Sequence, residues 1–349
     1  MHSQHSTALS LIAGVEEVPA MRWMYAAIRD AVPVALQPGT HAAPEAGEAA
    51  FPHEAARGLK LTPPPGTAAG WPSLPCHQVL MVRHIFDRFI ERHVWCVLPE
   101  VVGAVGSRRP DNLLVITGTP GIGKSAFGMY LLHRALNAGK TAVLVQQDPL
   151  EPTPTVTVFH DETVWRASST DSVFAMTSDP NVVHVYDGVR PDTLSVNTIL
   201  IAPPDRSLWR KVMKVHGTRL LQLPAFSLHE LLQLQQLEPS ISPEEVSERY
   251  ALVGGNARLV MNGASQEDNR RLLGTKASEF KPSHLDTMSC RSADMWTDEA
   301  LHYLAHYVVD RDTFGVTGMA FVSEEARHLC MARLNVRVES TETTEEMTP

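Results

Sequence analysis

Cysteine is scarce and unpaired in this sequence. Cys76, Cys96, Cys290 and Cys330 are scattered along 349 residues without a C-x-x-C pair. They offer no disulfide framework and read as free thiols in a reducing compartment. An excess of positive charge is also missing. The formal net charge of −9 argues against broad electrostatic binding to nucleic acid or an anionic membrane, while leaving room for a local basic patch. No apolar run reaches the roughly 18 residues of a membrane-spanning helix. The short apolar piece Ala8 to Val15 lacks a basic n-region, so it does not read as a secretory signal. These absences point to an intracellular chain, nuclear or cytoplasmic. What is present, 44% hydrophobic and 20% charged residues, suits a globular protein long enough to bury a sizeable core.

One stretch carries clear chemistry. The apolar run Leu113 to Ile116 is followed by Gly118-Thr119-Pro120-Gly121-Ile122-Gly123-Lys124-Ser125 and then by a helical pattern ending near Gly139. This is G-x-x-x-x-G-K-[ST], a phosphate-binding loop in its expected strand–turn–helix context. The three glycines let the backbone approach phosphate oxygens. The N–H groups from Gly121 to Ser125 lie at the positive end of the following helix. Pro120 has no N–H and only shapes the turn. Lys124 is placed to reach the β- and γ-phosphates, and the Ser125 hydroxyl to ligate Mg²⁺.

The remaining apolar runs predict a mostly parallel sheet. Thr141 to Val145, Val156 to Phe159, Val182 to Tyr186, Thr198 to Ile201 and Arg219 to Leu223 read as further strands. Asp187 closes one of them, 63 residues after Lys124. Carboxyl ends of parallel strands share an edge, so Asp187 is expected to orient Mg²⁺ beside the loop. Gly188 stands where many hydrolytic relatives carry a water-polarising Glu; Glu162, at another strand end, is a substitute base or a surface carboxylate. Ala202-Pro203-Pro204 follows Ile201, where a polar group would sense the γ-phosphate. Arg206, Arg210 and Lys214 share one helix face, read as solvated before phosphate- or nucleic-acid-contacting. Arg258, near the start of a helix, is a candidate γ-phosphate sensor. His302 and His306 form an i, i+4 pair without an H-E-x-x-H pattern, and read as surface or core histidines before metal ligands.

Helices are expected over Met21 to Val34, His77 to Leu98, Glu299 to Val308 and Glu324 to Leu334. The Ala-, Pro- and Gly-rich stretch Pro38 to Pro75 and the Thr-rich end Glu339 to Pro349 are expected to be loosely held.

In series, the loop, Val158-Phe159-His160-Asp161, Asp187-Gly188, Leu223-Pro224-Ala225-Phe226-Ser227-Leu228-His229-Glu230-Leu231 and Gly254-Gly255-Asn256-Ala257-Arg258 resemble the Crinkler and retrotransposon hot spot superfamily of P-loop ATPase proteins. The resemblance spans about Leu80 to Met261. It implies an ATPase module of the additional-strand type, often followed by a nuclease-like or kinase-like effector domain, acting in the nucleus. Gly-Gly-Asn-Ala-Arg replaces the commoner Gly-Gly-x-Pro-Arg, and the Leu-Phe-Leu-Ala-Lys translocation motif is missing from the N-terminus. The stretch after Met261 is short for a whole nuclease domain, so the chain reads as a truncated or lineage-specific member.

The expectation is therefore an α/β P-loop NTPase with a mostly parallel sheet, a small helical lid and a helical tail. Residues 1–76 form a low-complexity region, 77–262 the nucleotide domain and 263–349 the tail. ATP with Mg²⁺ is the expected ligand; the choice of ATP over GTP is what the resemblance implies, and no Asn-Lys-x-Asp guanine-reading motif stands against it. Hydrolysis would use Lys124, Asp187, Glu162 and Arg258. The competing readings are a weakly catalytic nucleotide switch or scaffold and a remnant of a longer nuclease effector. No residue names a protein or nucleic-acid partner.

Overall fold

The computed structural model describes residues 15–36, 57–63, 79–94, 112–147, 153–167, 169, 179–192, 194–262, 264–289 and 298–345. Its centre is an eight-stranded sheet. In chain order its strands are β1 (Val15–Glu17), β5 (Asn112–Thr117), β6 (Thr141–Gln146), β7 (Thr155–His160), β8 (Thr163–Ala167), β9 (Val182–Asp187), β10 (Asn197–Ile201) and β11 (Arg219–Gln222). In space the order is β1-β8-β7-β6-β9-β10-β5-β11. The five from β6 to β11 are parallel, whereas β7, β8 and β1 extend the sheet antiparallel.

The parallel strands are apolar throughout because both faces are covered. Leu114 and Ile116 face α3 (Lys124–Asn137), while Val115 faces the other way, with Leu200 and Tyr186, onto Trp209 and Val212. Gly128 lets α3 approach closely: a side-chain carbon there would meet Ile201 Cδ1 at 2.5 Å.

The N-terminal region departs from the expected loose tail. β1 pairs with β8, and α1 (Arg22–Arg29) packs Tyr25, Ala27 and Ile28 into the core against α3. Nδ1 of His133 on α3 lies 2.7 Å from the Ile28 carbonyl oxygen. A second, three-stranded sheet joins β2 (Val32–Ala35), β3 (Arg57–Lys60) and β4 (Val79–Val82). The densest Ala/Pro/Gly stretches, 37–56 and 64–76, lie outside the described residues, as do Cys76, Cys96 and Cys290. Cys330 is a buried free thiol, pushed up to about 12 by that burial.

Three expected helices are strand–helix junctions: Met21 to Val34 holds α1, which ends at Arg29, and most of β2, with Pro33 inside that strand. Val79–Val82 is β4, and α2 (His84–His93) begins only after Arg83. Val79, Val82 and Phe86 satisfy helical spacing, but a four-residue apolar run is equally compatible with a strand. Likewise Glu299 to Val308 splits into α10 (Leu301–Leu304) and β12 (Ala305–Val309). β12 pairs with β13 (Val316–Phe321). Beyond the sheet lie α4 (Arg206–Trp209), α5 (Leu228–Gln235), α6 (Pro243–Val253), α7 (Ala257–Met261), α8 (Gln266–Ser278), α9 (Pro282–Ser289) and α11 (Glu324–Glu345). Reciprocal Ser–Glu capping boxes start α5 and α6. α11 continues to Glu345, into the Thr-rich stretch expected to fray, whose last residues, 346–349, lie outside the described residues. Helices α5 to α8 share a second core with Leu301, Leu304, Ala326 and Cys330.

Candidate functional site

The loop Gly118 to Gly123 connects β5 to α3 and ends in Gly123 at φ 84°, a left-handed residue directly before the helix. Gly121 has φ +78°, and a side-chain carbon there would stand 1.9 Å from Asn256 Oδ1. Only glycine fits this position, because backbone angle and space both forbid a side chain. Asn256 caps α7 by accepting from Leu259 N–H at 3.2 Å. The Gly254 to Arg258 segment thus lies directly on the loop, and Arg258, exposed, stands over Gly121.

Lys124 Nζ donates to the carbonyls of Gly118 (2.8 Å) and Thr119 (2.9 Å). Desolvation, and then the Arg258 charge, push its ammonium down to about 7, with Asp187 acting in the opposite sense. Two cations, three glycines and a helix N-terminus converge where one carboxylate faces them. This is an electrostatic demand for an anion.

Ser125 Oγ donates to Asp187 Oδ1 at 3.2 Å. β10 lies between β5 and β9, and in the parallel register Asp187 sits level with Ile201. That brings the end of β9 to the start of α3. A hydroxyl and a carboxylate are hard oxygen donors of the kind Mg²⁺ takes alongside phosphate oxygens. Next to them is a 460 Å³ cavity whose walls include Lys124, Ser125, Val79 and Met81 of β4, and Leu234, Leu237 and Met261 of the helical layer.

Glu162 does not join this site. β7 runs antiparallel to β6, so the β7–β8 turn lies at the sheet edge where β6 begins. Thr141 Oγ1 lies 2.6 Å from His160 Nδ1 at that edge. Asp187 is level with Gln146, five residues or about 17 Å further along. Glu162 is exposed and accepts from Arg29 at 2.8 Å. Glu162→Gln should therefore leave nucleotide affinity and phosphate release unchanged. It removes a surface ion pair worth about 0–1 kcal/mol, measurable as at most a small shift in thermal midpoint.

The other expected residues divide similarly. Arg210 and Lys214 are solvent-exposed, and Arg206 lies over the Trp209 ring at 6.0 Å. Asp205 caps α4 by accepting from Ser207 N–H at 2.8 Å. His302 is on α10 and His306 on β12, so they share no helix face. Burial pushes both imidazoles down to about 4, with the Lys124 ammonium adding to the effect at His302. Among the described residues no group of three His, Cys, Asp or Glu could hold a metal. No helix there is long and apolar enough to cross a membrane.

Sequence reasoning passed over Arg83. It is 1% exposed and joins the loop to α5 through Ile122, Pro224, Ala225 and Glu230. The available signal was a lone arginine between Leu80-Met81-Val82 and Ile85-Phe86, because a charge inside an apolar run must find partners when buried.

No family model matches this chain, and no curated protein does. Among solved structures it is similar to the RuvB Holliday junction branch migration motor of Thermotoga maritima, with 12% identity and a TM-score of 0.27. The match covers 57% of this chain and 63% of that one.

Proposed function

We propose that this chain binds a nucleoside triphosphate with Mg²⁺ at Gly118 to Ser125 and works as a slowly hydrolysing nucleotide switch. The observation that carries the reading is the Ser125–Asp187 contact of 3.2 Å at the start of α3. The strand order supports a P-loop NTPase of the additional-strand type, because one strand separates the loop-bearing β5 from the Asp-bearing β9. Lys124 and Arg258 would hold the phosphates, and Ser125 and Asp187 would hold Mg²⁺, whose chemistry when bound would be to offset phosphate charge.

Slow turnover is favoured over brisk hydrolysis by what stands around the phosphates. Gly188 follows Asp187, Ala202 follows β10, and Glu162 is at the far edge. No carboxylate other than Asp187 contacts the loop in a hydrogen bond among the described residues. ATP is preferred over GTP on the resemblance to Crinkler and retrotransposon hot spot proteins and the missing guanine motif. The same resemblance supports a nuclear effector module as the setting of the switch.

The test is MgATP affinity together with steady-state phosphate release. Micromolar binding with release far slower than binding supports the switch, and release at the rate of a brisk ATPase refutes it. A pH signature accompanies binding. Below pH 7 Lys124 is already charged, whereas above it a bound triphosphate must draw a proton onto the amine. Affinity should fall by up to about tenfold per pH unit above that point. Binding should take up close to one proton at about pH 8, read by calorimetry in buffers of different ionisation enthalpy. Zero uptake would contradict Lys124 as the phosphate ligand.

A further inference from the structure

Arg83 occupies the junction of four elements. It follows β4, whose residues Val79 to Met81 line the cavity. A guanidinium has five N–H donors, and here each has an acceptor. Nε and Nη2 fork onto Glu230 Oε1 and Oε2 at 2.8 and 2.9 Å. Nη2 also donates to the Ala225 carbonyl at 2.9 Å, and Nη1 to those of Pro224 at 2.9 Å and Ile122 at 3.3 Å. Ile122 belongs to the phosphate loop; Pro224 and Ala225 are the exit of β11; Glu230 lies in the first turn of α5.

The guanidinium also lies 4.1 Å from the centroid of the Phe226 ring. That ring is 3.3 Å from where a Gly123 side chain would begin. Phe226 N–H donates to the Gly255 carbonyl at 3.1 Å, in the segment that covers Gly121. Glu230 in turn accepts from Ser227 N–H at 3.0 Å and so closes the capping box of α5. The far end of α5 brings Leu234, and just beyond it Leu237, to the cavity wall. One buried side chain therefore grips the loop at one end and, at the other, the helix that lines the cavity.

We propose that Arg83 is the positioning residue that couples nucleotide occupancy of the phosphate loop to the helical layer through α5. Its five N–H donors are all engaged by protein acceptors, which leaves none for a phosphate. Of its five hydrogen bonds the one to Ile122 is the longest, so the loop is the more loosely held side. Filling the loop shifts what Arg83 can hold, and the bidentate, planar grip on Glu230 transmits that shift to α5. A lysine cannot reproduce this fork. The inference rests on the nucleotide-binding reading above.

Hydrogen exchange of the full chain with and without MgATP tests it. In wild type, MgATP should slow exchange in the loop and in Leu228–Gln235. The double variant Arg83→Met/Glu230→Leu replaces the pair with apolar side chains of similar volume, which buried pairs often tolerate. Its thermal midpoint should fall, through the lost α5 cap and carbonyl bonds, but by less than that of Glu230→Ala, because no charge is left buried without a partner. MgATP should still protect its loop, with affinity within about threefold, a small change beside hot-spot losses, but α5 should no longer respond. Arg83→Lys retains the charge without the fork, and its α5 response should fall by at least half; this variant decides the matter if the double variant does not fold. An α5 response kept intact in the folded variants overturns the coupling, as does a wild type whose loop is protected and whose α5 is not. No protection of the wild-type loop overturns the nucleotide reading and the coupling with it.

Discussion

Lys124→Ala loses MgATP affinity by about 10²- to 10⁴-fold, as expected for removing charge-assisted hydrogen bonds to two phosphates at about 1.5–3 kcal/mol each. Its thermal midpoint without nucleotide should not fall in parallel. In the folded chain burial disfavours the Lys124 ammonium and lowers its pKa from 10.5 to about 7. A group depressed in this way costs folding stability at neutral pH, because the unfolded chain binds the proton more readily. The substitution removes that cost along with the bonds to the Gly118 and Thr119 carbonyls. The two losses oppose each other in stability and not in binding. Equilibrium binding set beside a melting curve separates the two effects. A variant that melts far below wild type, or that binds MgATP normally, contradicts the assignment.

Glu230→Ala is the second large effect, and it falls on stability. The carboxylate accepts two bonds from Arg83, which is 1% exposed. Truncating it strands the guanidinium in the interior, an error of about 3–5 kcal/mol. Denaturant titration should report a loss of that size, several times what surface pairs such as Arg29–Glu162 contribute. The pH dependence has a definite sign. Burial pushes the Glu230 carboxyl up, but the Arg83 charge and the hydrogen bonds from Arg83 and Ser227 outweigh it, leaving the carboxyl below its usual value. Its stabilisation is thus complete above the ordinary carboxylate pKa of about 4.5 and is lost as pH falls through the lower folded value. Wild type should lose stability in acid more steeply than the alanine variant, and parallel acid limbs would refute the pair.

The loop, the helix behind it and the six strands from β5 to β7 and β9 to β11 were legible because their residues are apolar on both faces or bounded by glycine and proline. Asp187 was legible because parallel strands force their carboxyl ends to one edge. Glu162 misled for a related reason. A strand ending in a carboxylate looks the same in sequence whether it runs with its neighbour or against it, and β7 runs against. β4 and β12 were misread as helix because short apolar runs satisfy both periods. The start of β2 was likewise taken into the helix expected over Met21 to Val34. β1 and β3 stayed hidden because they are three or four residues long and their ladders pair residues far apart in sequence, Val15 with Ala167 and Arg57 with Val82. Arg83 stood in plain view. Its partners lie 39 to 147 residues away, and only the fold reveals that they converge.

The central claim is that Gly118 to Ser125 and Asp187 form one site for a triphosphate and its cation. It is tested most directly by titrating ATP into wild type and Asp187→Asn with Mg²⁺ present and with Mg²⁺ chelated. The account predicts tight binding to wild type that weakens when Mg²⁺ is removed, and binding to Asp187→Asn that is weaker and indifferent to Mg²⁺. Wild type that fails to bind at millimolar MgATP, or that binds equally well with and without the cation, would contradict it.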